Sequence, residues 1–221
     1  MFISCSADNI VVTEPWDRPD AALLDRFSGL AASIVGDVLD RMTALDGGIR
    51  LWTERDQLVG FALPVDVPAG DNLAIHRALD EARPGDVLVV NGRADLTRAL
   101  VGDLIGEIMG STGMAGAVID GAIRDVEALS QQGLSIYARA VTPAGPFKNG
   151  PGLVGRPVAV GGVVISAGDL IVADRDGVVV VPQDKIGVVA ERVDVATANE
   201  QALRERIIAA GRAVRSSGSE R

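Results

Sequence analysis

The sequence predicts an α/β fold that is rich in strands and tight turns. Hydrophobic residues make up 48% of the 221 residues and aromatic residues only 3%, so the core must be aliphatic. Valine favours strands and glycine permits tight turns, and both are abundant. The run Val87–Val90 is wholly apolar, as is typical of a strand buried on both faces of a sheet. The length fits one large domain, or one domain with a terminal extension.

The chain begins with a segment of mixed character and then becomes helical. Residues 1–19 are predicted to be a loose N-terminal arm, and residues 20–183 to form the domain itself. An apolar stripe over residues 20–42 indicates a helical region, which its glycines can interrupt. Asp71 is predicted to cap a further helix that carries His76.

The first predicted strand is Leu58–Leu63, with Val65–Val67 as its continuation or its partner. Pro64 and Pro68 suggest an edge of the sheet, because proline has no N–H to donate to a strand ladder.

In the second half of the chain, glycine-containing turns separate the predicted helices and strands. Residues 95–109 are predicted to form a helical region that Gly102-Asp103 can interrupt, and residues 125–132 a short helix. The strands predicted in this half are residues 115–119, 135–141, 158–160, 163–165, 170–174 and 178–181. Turn residues separate the last four, which predicts antiparallel ribbons. The loop TPAGPFKNGPG at 142–152 is typical of a functional loop.

The C-terminus is predicted to be one long helix over residues 184–215, followed by a disordered tail at 216–221.

Charge and scarce residue types exclude several classes of function. The formal net charge of −9 argues against a nucleic-acid partner, which normally selects a basic surface. Cys5 is the only cysteine, so neither an intrachain disulfide nor a cysteine-rich zinc site can form. A lone histidine such as His76, beside an isoleucine on a helix, is more often structural than catalytic. Without a signal peptide or an 18-residue apolar run, we expect a cytoplasmic protein that does not enter a membrane.

The two lysines also limit the chemistry. Lys148 is in the Pro/Gly-rich loop and Lys185 is at a helix start, so neither is predicted to lie in the dry pocket that Schiff-base catalysis needs. The remaining chemistry uses oxygen ligands, which suit Mg²⁺ or Mn²⁺.

Asp103 and the pair Arg124-Asp125 form the candidate site. A helix and a buried strand are predicted between them, so Asp103 lies at a helix start and Arg124-Asp125 just past a strand end. Ligands of α/β sheets bind where strands end and helices begin. Asp125 is either a metal ligand or merely the cap of the next helix. Arg124 is either a clamp for an anion or one half of a surface salt bridge.

The turn Gly102-Asp103-Leu104-Ile105 has two interpretations as well. A helix that begins here leaves the N–H groups of Leu104 and Ile105 free to bind a carboxylate or phosphate. Alternatively, Gly102 is a kink in a helix and Asp103 a solvated cap.

Four segments together resemble the regulator of ribonuclease E activity A family over about residues 25–210. They are GDLIGE at 102–107, VIDGAIRD at 118–125, GPG at 150–152 and GDLIVADRDGVVVVP at 168–182. The resemblance implies a swivelling β/β/α sandwich that assembles as trimers or hexamers. The catalytic branch of that family contains the 4-hydroxy-4-methyl-2-oxoglutarate and 4-carboxy-4-hydroxy-2-oxoadipate aldolases.

The same resemblance implies a role for each site residue. Asp125 would be the protein ligand of Mg²⁺ or Mn²⁺, while Arg124 and residues 102–105 would bind the carboxylate of pyruvate. Glu200 would come from the C-terminal helix of a neighbouring subunit. For such a substrate, the hydroxyl proton would go either to a metal-bound hydroxide or to a water held by Asp103. The implied reaction is a metal-assisted retro-aldol cleavage, with oxaloacetate decarboxylation as a side activity.

Two other functions remain open from the sequence. One is a protein-binding regulator of the ribonuclease E type with no catalysis. The other is a metal-dependent enzyme that acts on a different 2-oxo acid or sugar acid by the same enolate chemistry.

Overall fold

The computed structural model describes residues 8–13, 16 and 18–218, with only the backbone for 211–218. The strands, in chain order, are β1 (Ile10–Val12), β2 (Arg50–Leu51), β3 (Leu58–Asp66), β4 (Asp86–Val101), β5 (Gly116–Ile123), β6 (Ser135–Val141), β7 (Gly152–Val154), β8 (Val158–Val160), β9 (Val163–Ile165), β10 (Leu170–Asp174) and β11 (Gly177–Val181). The helices are α1 (Ala22–Asp25), α2 (Ala32–Val38), α3 (Leu73–Leu79), α4 (Asp103–Ser111), α5 (Val126–Gln131) and α6 (Ile186–Gly218), with a 3₁₀ turn at Gln183–Lys185 before α6.

Four parallel strands, β3, β4, β5 and β6, form the centre of the main sheet. β2 pairs antiparallel with the outer edge of β6. The other edge of β3 pairs antiparallel with β10 along its first half and with β7 at its end. β11 continues the sheet beyond β10, and β1 pairs in parallel with β7. β8 and β9 form a separate antiparallel hairpin.

Both faces of the central sheet are buried, as the apolar run in β4 predicts. Leu88 and Val90 point into a cluster that α3, α4 and α5 cover. Val87 and Val89 point into a second cluster, which the β8–β9 hairpin and the β10–β11 ribbon cover. Successive residues of a strand face opposite sides, so one run fills both cores. The predicted α/β sandwich with a long C-terminal helix is confirmed.

The long helix α6 packs on the domain over its first two turns alone. Ile186, Val189 and Val193 are buried against α2 and the β10–β11 ribbon. From Asp194 to Ala210 no side chain is buried, although Leu203 and Ile207 on this part are apolar. Residues 194–210 of α6 therefore bury no side chain against the rest of the described chain, and Asp194 makes only an exposed ion pair with Arg26. No described helix is both long and apolar enough to cross a bilayer.

The helix predicted over residues 95–109 is wrong in its first part. β4 continues to Val101, and the helix begins only at Asp103. A left-handed backbone at Arg93 and Ala94 coincides with a shift in the register of β4 against β5, after which Ala99 and Val101 pair with β5. The pairing with a neighbouring strand overrides the local preference for helix.

The edge position predicted for Pro64 is also wrong, because β3 is paired on both sides. Pro64 lies between the β10 ladder, which ends at Phe61, and the β7 ladder, which begins at Val65. The missing N–H of proline therefore falls in a gap between two partners. Residues 58–66 are one strand, so Val65 continues it.

The predictions for residues 20–42 and for the two ends of the chain are only partly correct. The helical region at 20–42 consists of two short helices, α1 and α2. The arm at 1–19 is partly outside the described residues, but Ile10–Val12 is paired with β7 and is not loose. The tail predicted at 216–221 begins too early, since α6 reaches Gly218; residues 219–221 lie outside the described part.

Candidate active site

Gly102 links β4 to α4 and lets two charged residues approach the start of that helix. Its backbone is extended, and the first helical hydrogen bond runs from the Gly106 N–H to the Gly102 carbonyl at 3.0 Å. A Cβ at Gly102 would lie 2.6 Å from Asp125 Oδ2 and 2.9 Å from Arg124 Cγ. A side chain here would therefore displace Asp125 or Arg124 from its present position.

Asp125 lies in a left-handed backbone conformation, with φ of +55° and ψ of +39°. Few residues other than glycine adopt it, and such strain concentrates at functional sites. Asp125 occupies the N-cap position of α5, yet its side chain makes no capping hydrogen bond there. Instead Asp125 Oδ2 accepts from the Asp103 N–H at 3.3 Å, at the start of α4. The interpretation of Asp125 as a simple cap of α5 is therefore not supported.

Arg124 lies between Asp125 and the crevice. Its Nε is 3.0 Å from Asp125 Oδ2, and both side chains are 37% exposed. A Cβ at Gly145 would be 3.2 Å from one terminal nitrogen of Arg124, so the 142–151 loop lies against the guanidinium. Among the described residues, nothing accepts a hydrogen bond from the two terminal nitrogens. Arg124 thus pairs with Asp125 and still has donors for an anion.

One of the two amides predicted to be free at the start of α4 is occupied. The Leu104 N–H donates to Asp103 Oδ1 at 2.8 Å. The Ile105 N–H precedes the first helical bond and finds no acceptor in the described chain. The helix N-terminus therefore offers one open donor and its partial positive charge beside Arg124.

Arg124 and residues 102–105 line one crevice together with residues from α3, the end of β4 and the 142–151 loop, whereas Asp125 lines the adjoining surface with Asp103 and the start of α5. The lining residues are Asn72, His76, Ala99, Leu100, Val101, Gly102, Asp103, Leu104, Ile105, Arg124, Pro146 and Lys148. Asn72, His76 and Lys148 are not predicted as site residues by the sequence. The functional character of the Pro/Gly-rich loop is the one signal that points to Lys148.

His76 is buried in the crevice wall and is a neutral base. Burial, helped by the charge of Lys148 and opposed by Asp80, lowers the pKa of His76 to about 4. Lys148 Nζ lies 3.2 Å from His76 Nε2. An ammonium can only donate, so Nε2 is the acceptor and the proton of the ring is on Nδ1.

Two predicted site residues do not line this crevice. Asp125 lines the adjoining surface with Asp103 and the start of α5, and Glu200 lines neither. Glu200 lies on the exposed part of α6 at residues 194–210, where its carboxylate is paired with Arg204 one turn further along. The structure brings Asp103, Arg124 and Asp125 together and leaves Glu200 apart from them.

The carboxylates fit a metal that keeps most of its water. Among the described residues, no group of three or more His, Cys, Asp and Glu side chains is placed to hold an ion. Mg²⁺ does not need such a cage, since one or two carboxylates, waters and the substrate can complete its shell. Asp125, half-exposed beside Asp103, is a donor of this type.

The sequence was also compared with models of known protein families. The sequence model of the RraA-like family, described as Aldolase/RraA, matches residues 21–180. The chain belongs to the RraA-like family.

Individual relatives of this RraA-like chain include proteins with two kinds of name. A "Putative 4-hydroxy-4-methyl-2-oxoglutarate aldolase" of Halalkalibacterium halodurans is 40% identical over 185 residues, which is 84% of this chain and 88% of that protein. The 4-hydroxy-4-methyl-2-oxoglutarate aldolase of Thermus thermophilus is 36% identical over 53% of this chain and 72% of its own length. The crystal structure of Streptomyces coelicolor RraAS2, described as an unusual member of the RNase ES inhibitor RraA family, is 30% identical. It has a TM-score of 0.76 and is matched over 98% of its length and 87% of this chain.

Proposed function

We propose that this chain is a divalent-metal-dependent aldolase. It cleaves 4-hydroxy-4-methyl-2-oxoglutarate, or a related 4-hydroxy-2-oxo acid, and releases pyruvate. The observation that carries the proposal is the strained turn at Asp125, which aims a carboxylate at the start of α4 beside Arg124. The names of the aldolase relatives support the same reaction class.

Asp125 would hold the metal, with Mg²⁺ or Mn²⁺ as the ions that suit its donor type. When bound, a divalent ion stabilises negative charge that develops on a substrate oxygen. Asp125 Oδ2 is engaged by the Asp103 N–H and Arg124, which orient the carboxylate.

Arg124 and the start of α4 would bind the carboxylate of the 2-oxo acid. The two terminal nitrogens of Arg124 form a planar fork that matches a carboxylate. The Ile105 N–H and the helix dipole add a neutral donor and a partial charge on the same side. These groups would fix the substrate with its 2-oxo group next to Asp125.

The bond that breaks is C3–C4 of the substrate. Its electron pair passes to C3 and the 2-oxo oxygen as an enolate, while the C4 hydroxyl loses its proton and becomes a carbonyl. Asp103 Oδ2, which has no partner in the described chain, would hold the water that takes this proton. The charge of Arg124 lies beside the enolate and stabilises it. Protonation of the enolate at C3 gives pyruvate, and the C4 fragment leaves as a ketone. Loss of CO₂ from oxaloacetate gives the same enolate, so we expect decarboxylation as a side activity.

The first test is a coupled assay for pyruvate with chelator-treated protein. We expect release from 4-hydroxy-4-methyl-2-oxoglutarate after Mg²⁺ or Mn²⁺ is added back, and none in excess EDTA. Turnover that EDTA does not change would contradict the metal dependence.

A second candidate is a non-catalytic inhibitor of an RNase. The likeness to Streptomyces coelicolor RraAS2, a member of an RNase ES inhibitor family, favours it. No pyruvate from any 4-hydroxy-2-oxo acid, together with inhibition of an RNase E type enzyme, would support that candidate instead.

We also propose that the site is shared within a homo-oligomer, as a trimer or hexamer. Residues 194–210 of α6 carry Glu200 and exposed apolar side chains such as Leu203 and Ile207, so a neighbouring copy is the natural surface for this part of the helix. Glu200 would then complete a neighbour's crevice and orient the water beside Asp103.

Mixed oligomers test the shared site directly. Glu200→Ala and Asp125→Ala subunits, each inactive alone, should regain a fraction of activity after exchange in mild denaturant, because some interfaces pair two intact residues. Glu205→Ala, on the same helix, is the matched control and should stay active. No recovery despite proven mixing would remove Glu200 from the site.

A further inference from the structure

The two ends of α5 both reach the first residue of α4. At the N-terminal end, Asp125 Oδ2 accepts from the Asp103 N–H at 3.3 Å. At the C-terminal end, the side chain of Gln132 donates from Nε2 to the Asp103 carbonyl at 3.2 Å. The backbone N–H and the backbone carbonyl of Asp103 are therefore both held by side chains of a single helix.

Gln132 is fixed to α5 by the last turn of that helix. Its N–H donates to the Ala128 carbonyl at 3.1 Å. At the other end of α5, the Leu129 N–H donates to the Asp125 carbonyl at 3.0 Å. Asp125 and Gln132 thus belong to one short hydrogen-bonded element, and a shift of α4 against α5 would disturb both contacts with Asp103.

Gly106, one turn further along α4, allows Gln132 to come this close. A Cβ at Gly106 would overlap Gln132 Oε1 and would lie 2.5 Å from Leu129 Cδ2. An alanine at this position would therefore push the Gln132 side chain aside. The contact between Gln132 and Asp103 depends on the absence of a side chain at Gly106.

The amide of Gln132 is present at a cost in stability. Its Oε1 is buried and has no hydrogen-bond partner in the described chain. A buried acceptor without a partner destabilises a fold, whereas an apolar side chain of the same size does not. Reversing the amide would set Oε1 against the Asp103 carbonyl, and two acceptors cannot form a hydrogen bond. The arrangement indicates that the Nε2 donor has a use.

The carboxylate of Asp103 depends on the backbone that Gln132 holds. Asp103 Oδ1 accepts from the Leu104 N–H at 2.8 Å, which ties the side chain to its own backbone. The direction of Oδ2 therefore follows the direction of the Asp103 peptide groups. Asp125 holds the N–H of Asp103 but is also the proposed metal ligand, so Gln132 is the contact whose effect is on position alone.

We infer that Gln132 is a positioning residue for the proton transfer at Asp103. It acts through the Asp103 carbonyl and does not touch the substrate. The inference rests on the proposed aldolase function. In the retro-aldol step, the C4 hydroxyl loses its proton to the water that Asp103 holds, so a small misplacement of Asp103 slows this step. Oxaloacetate has no such hydroxyl, and its decarboxylation does not need Gln132.

The test compares the two reactions in one variant. Gln132→Met keeps the volume and removes the donor. It should lower kcat for 4-hydroxy-4-methyl-2-oxoglutarate by roughly fivefold, which is the order of effect of one hydrogen bond, and leave KM nearly unchanged. Oxaloacetate decarboxylation should change little. Gln57→Met, the same change in a half-buried glutamine just before β3, is the matched control and should alter neither reaction.

A second variant disturbs the same contact from α4. Gly106→Ala should displace Gln132 and lower kcat for cleavage to a similar extent, although alanine favours helix over glycine. The double variant should be no worse than the poorer single variant, because both changes remove one contact. Urea denaturation of Gln132→Met should show no loss of stability, since the unpartnered acceptor is gone.

The outcomes separate this inference from the function on which it rests. Equal losses of cleavage and decarboxylation in Gln132→Met, no loss of either, or a rise in KM at unchanged kcat overturns the inference alone. The division between kcat and KM decides the case even for a protein without measurable decarboxylase activity. Absence of pyruvate from wild-type protein with both substrates overturns the proposed function, and the inference with it.

Discussion

Two arginine–aspartate pairs lie on or beside β5 and differ in how completely they are satisfied. Asp120 and Arg139 form the buried pair. Asp120 accepts from Arg139 Nε through one oxygen and from the Gly161 N–H at 3.0 Å through the other. Arg139 donates further to Asp46 at 2.8 Å. The hydrogen bonds that Arg139 donates, to Asp120 foremost and then to Asp46, raise the pKa of Arg139.

Arg124 and Asp125, just after the end of the same strand, form the open pair. Both are 37% exposed, Asp125 uses one oxygen for both of its contacts, and its backbone is left-handed. A satisfied pair specifies a structure, whereas an open pair keeps capacity for a ligand. The difference teaches that the same two residue types can be fully satisfied by internal partners in one place and left with open donors and acceptors in another.

The largest expected effect is on activity and comes from the open pair. Asp125→Asn should lower kcat/KM with Mg²⁺ by about a thousandfold, because a bound ion contributes several kcal/mol to a charged transition state. The stability should change by less than about 1 kcal/mol, since the pair is half-exposed. Pyruvate assays and urea denaturation measure the two. Near-normal turnover with an unchanged metal requirement would remove Asp125 from the metal shell.

The reverse outcome is expected at the buried pair. Arg139→Met keeps the volume but leaves Asp120 buried without its cation, which should cost about 3 kcal/mol of unfolding free energy. Activity per folded molecule should be retained, because Arg139 does not line the crevice. Asp46→Asn, which removes the exposed ion pair with Arg139, is the control and should change the free energy of unfolding very little. A loss of activity without a loss of stability in Arg139→Met would reverse the comparison.

A smaller effect tests whether Arg124 acts through its planar arrangement of donors or through its charge alone. Arg124→Lys should keep the positive field but lose the planar donors, and we expect kcat/KM to fall about a hundredfold. Both KM and kcat should worsen, because Arg124 serves the bound substrate and the enolate. Full activity in this variant, with a pH profile like that of wild type, would mean that charge alone is needed.

The smallest effect concerns stability and pH. The pKa of His76 is about 4 in the folded protein against 6.5 for an ordinary histidine, so the unfolded chain takes up the proton first. The free energy of unfolding should therefore fall by about 2 kcal/mol as the pH drops from 7 to 5. His76→Gln should lack this part of the loss, and as His76 is the only histidine, no other imidazole contributes. Parallel curves for the two proteins would show that His76 titrates normally.

The sequence predicts best those features whose signals lie close together in the chain. The strands β8–β11 lie within one residue of their predicted bounds, because turn residues and short valine runs are adjacent in the chain. Asp103 and Arg124-Asp125 could be placed together, because strand ends and helix starts meet at one edge of a sheet. Their roles stay predictions.

The misses arise from contacts between distant segments. Residues 95–101 have helical composition, yet β5 and the Ala144 carbonyl hold them as a strand. His76 and Lys148 are far apart in sequence and meet because residues 70–72 bind the loop at Phe147 and Asn149. No periodicity within either segment carries that information.

The gap at Pro64 has a consequence for how the chain acquires its structure. One edge of β3 pairs with β4, which follows it closely in the sequence. The other edge pairs with β7 and β10, which come much later in the chain. Such non-local pairing slows folding, because the chain loses the entropy of closing a long loop before the stabilising contacts form. During synthesis, the apolar strand β3 therefore has an unpaired edge until β7 and β10 have been made. Proline at the middle of that edge cannot donate to a foreign strand, so it protects the nascent chain from aggregation.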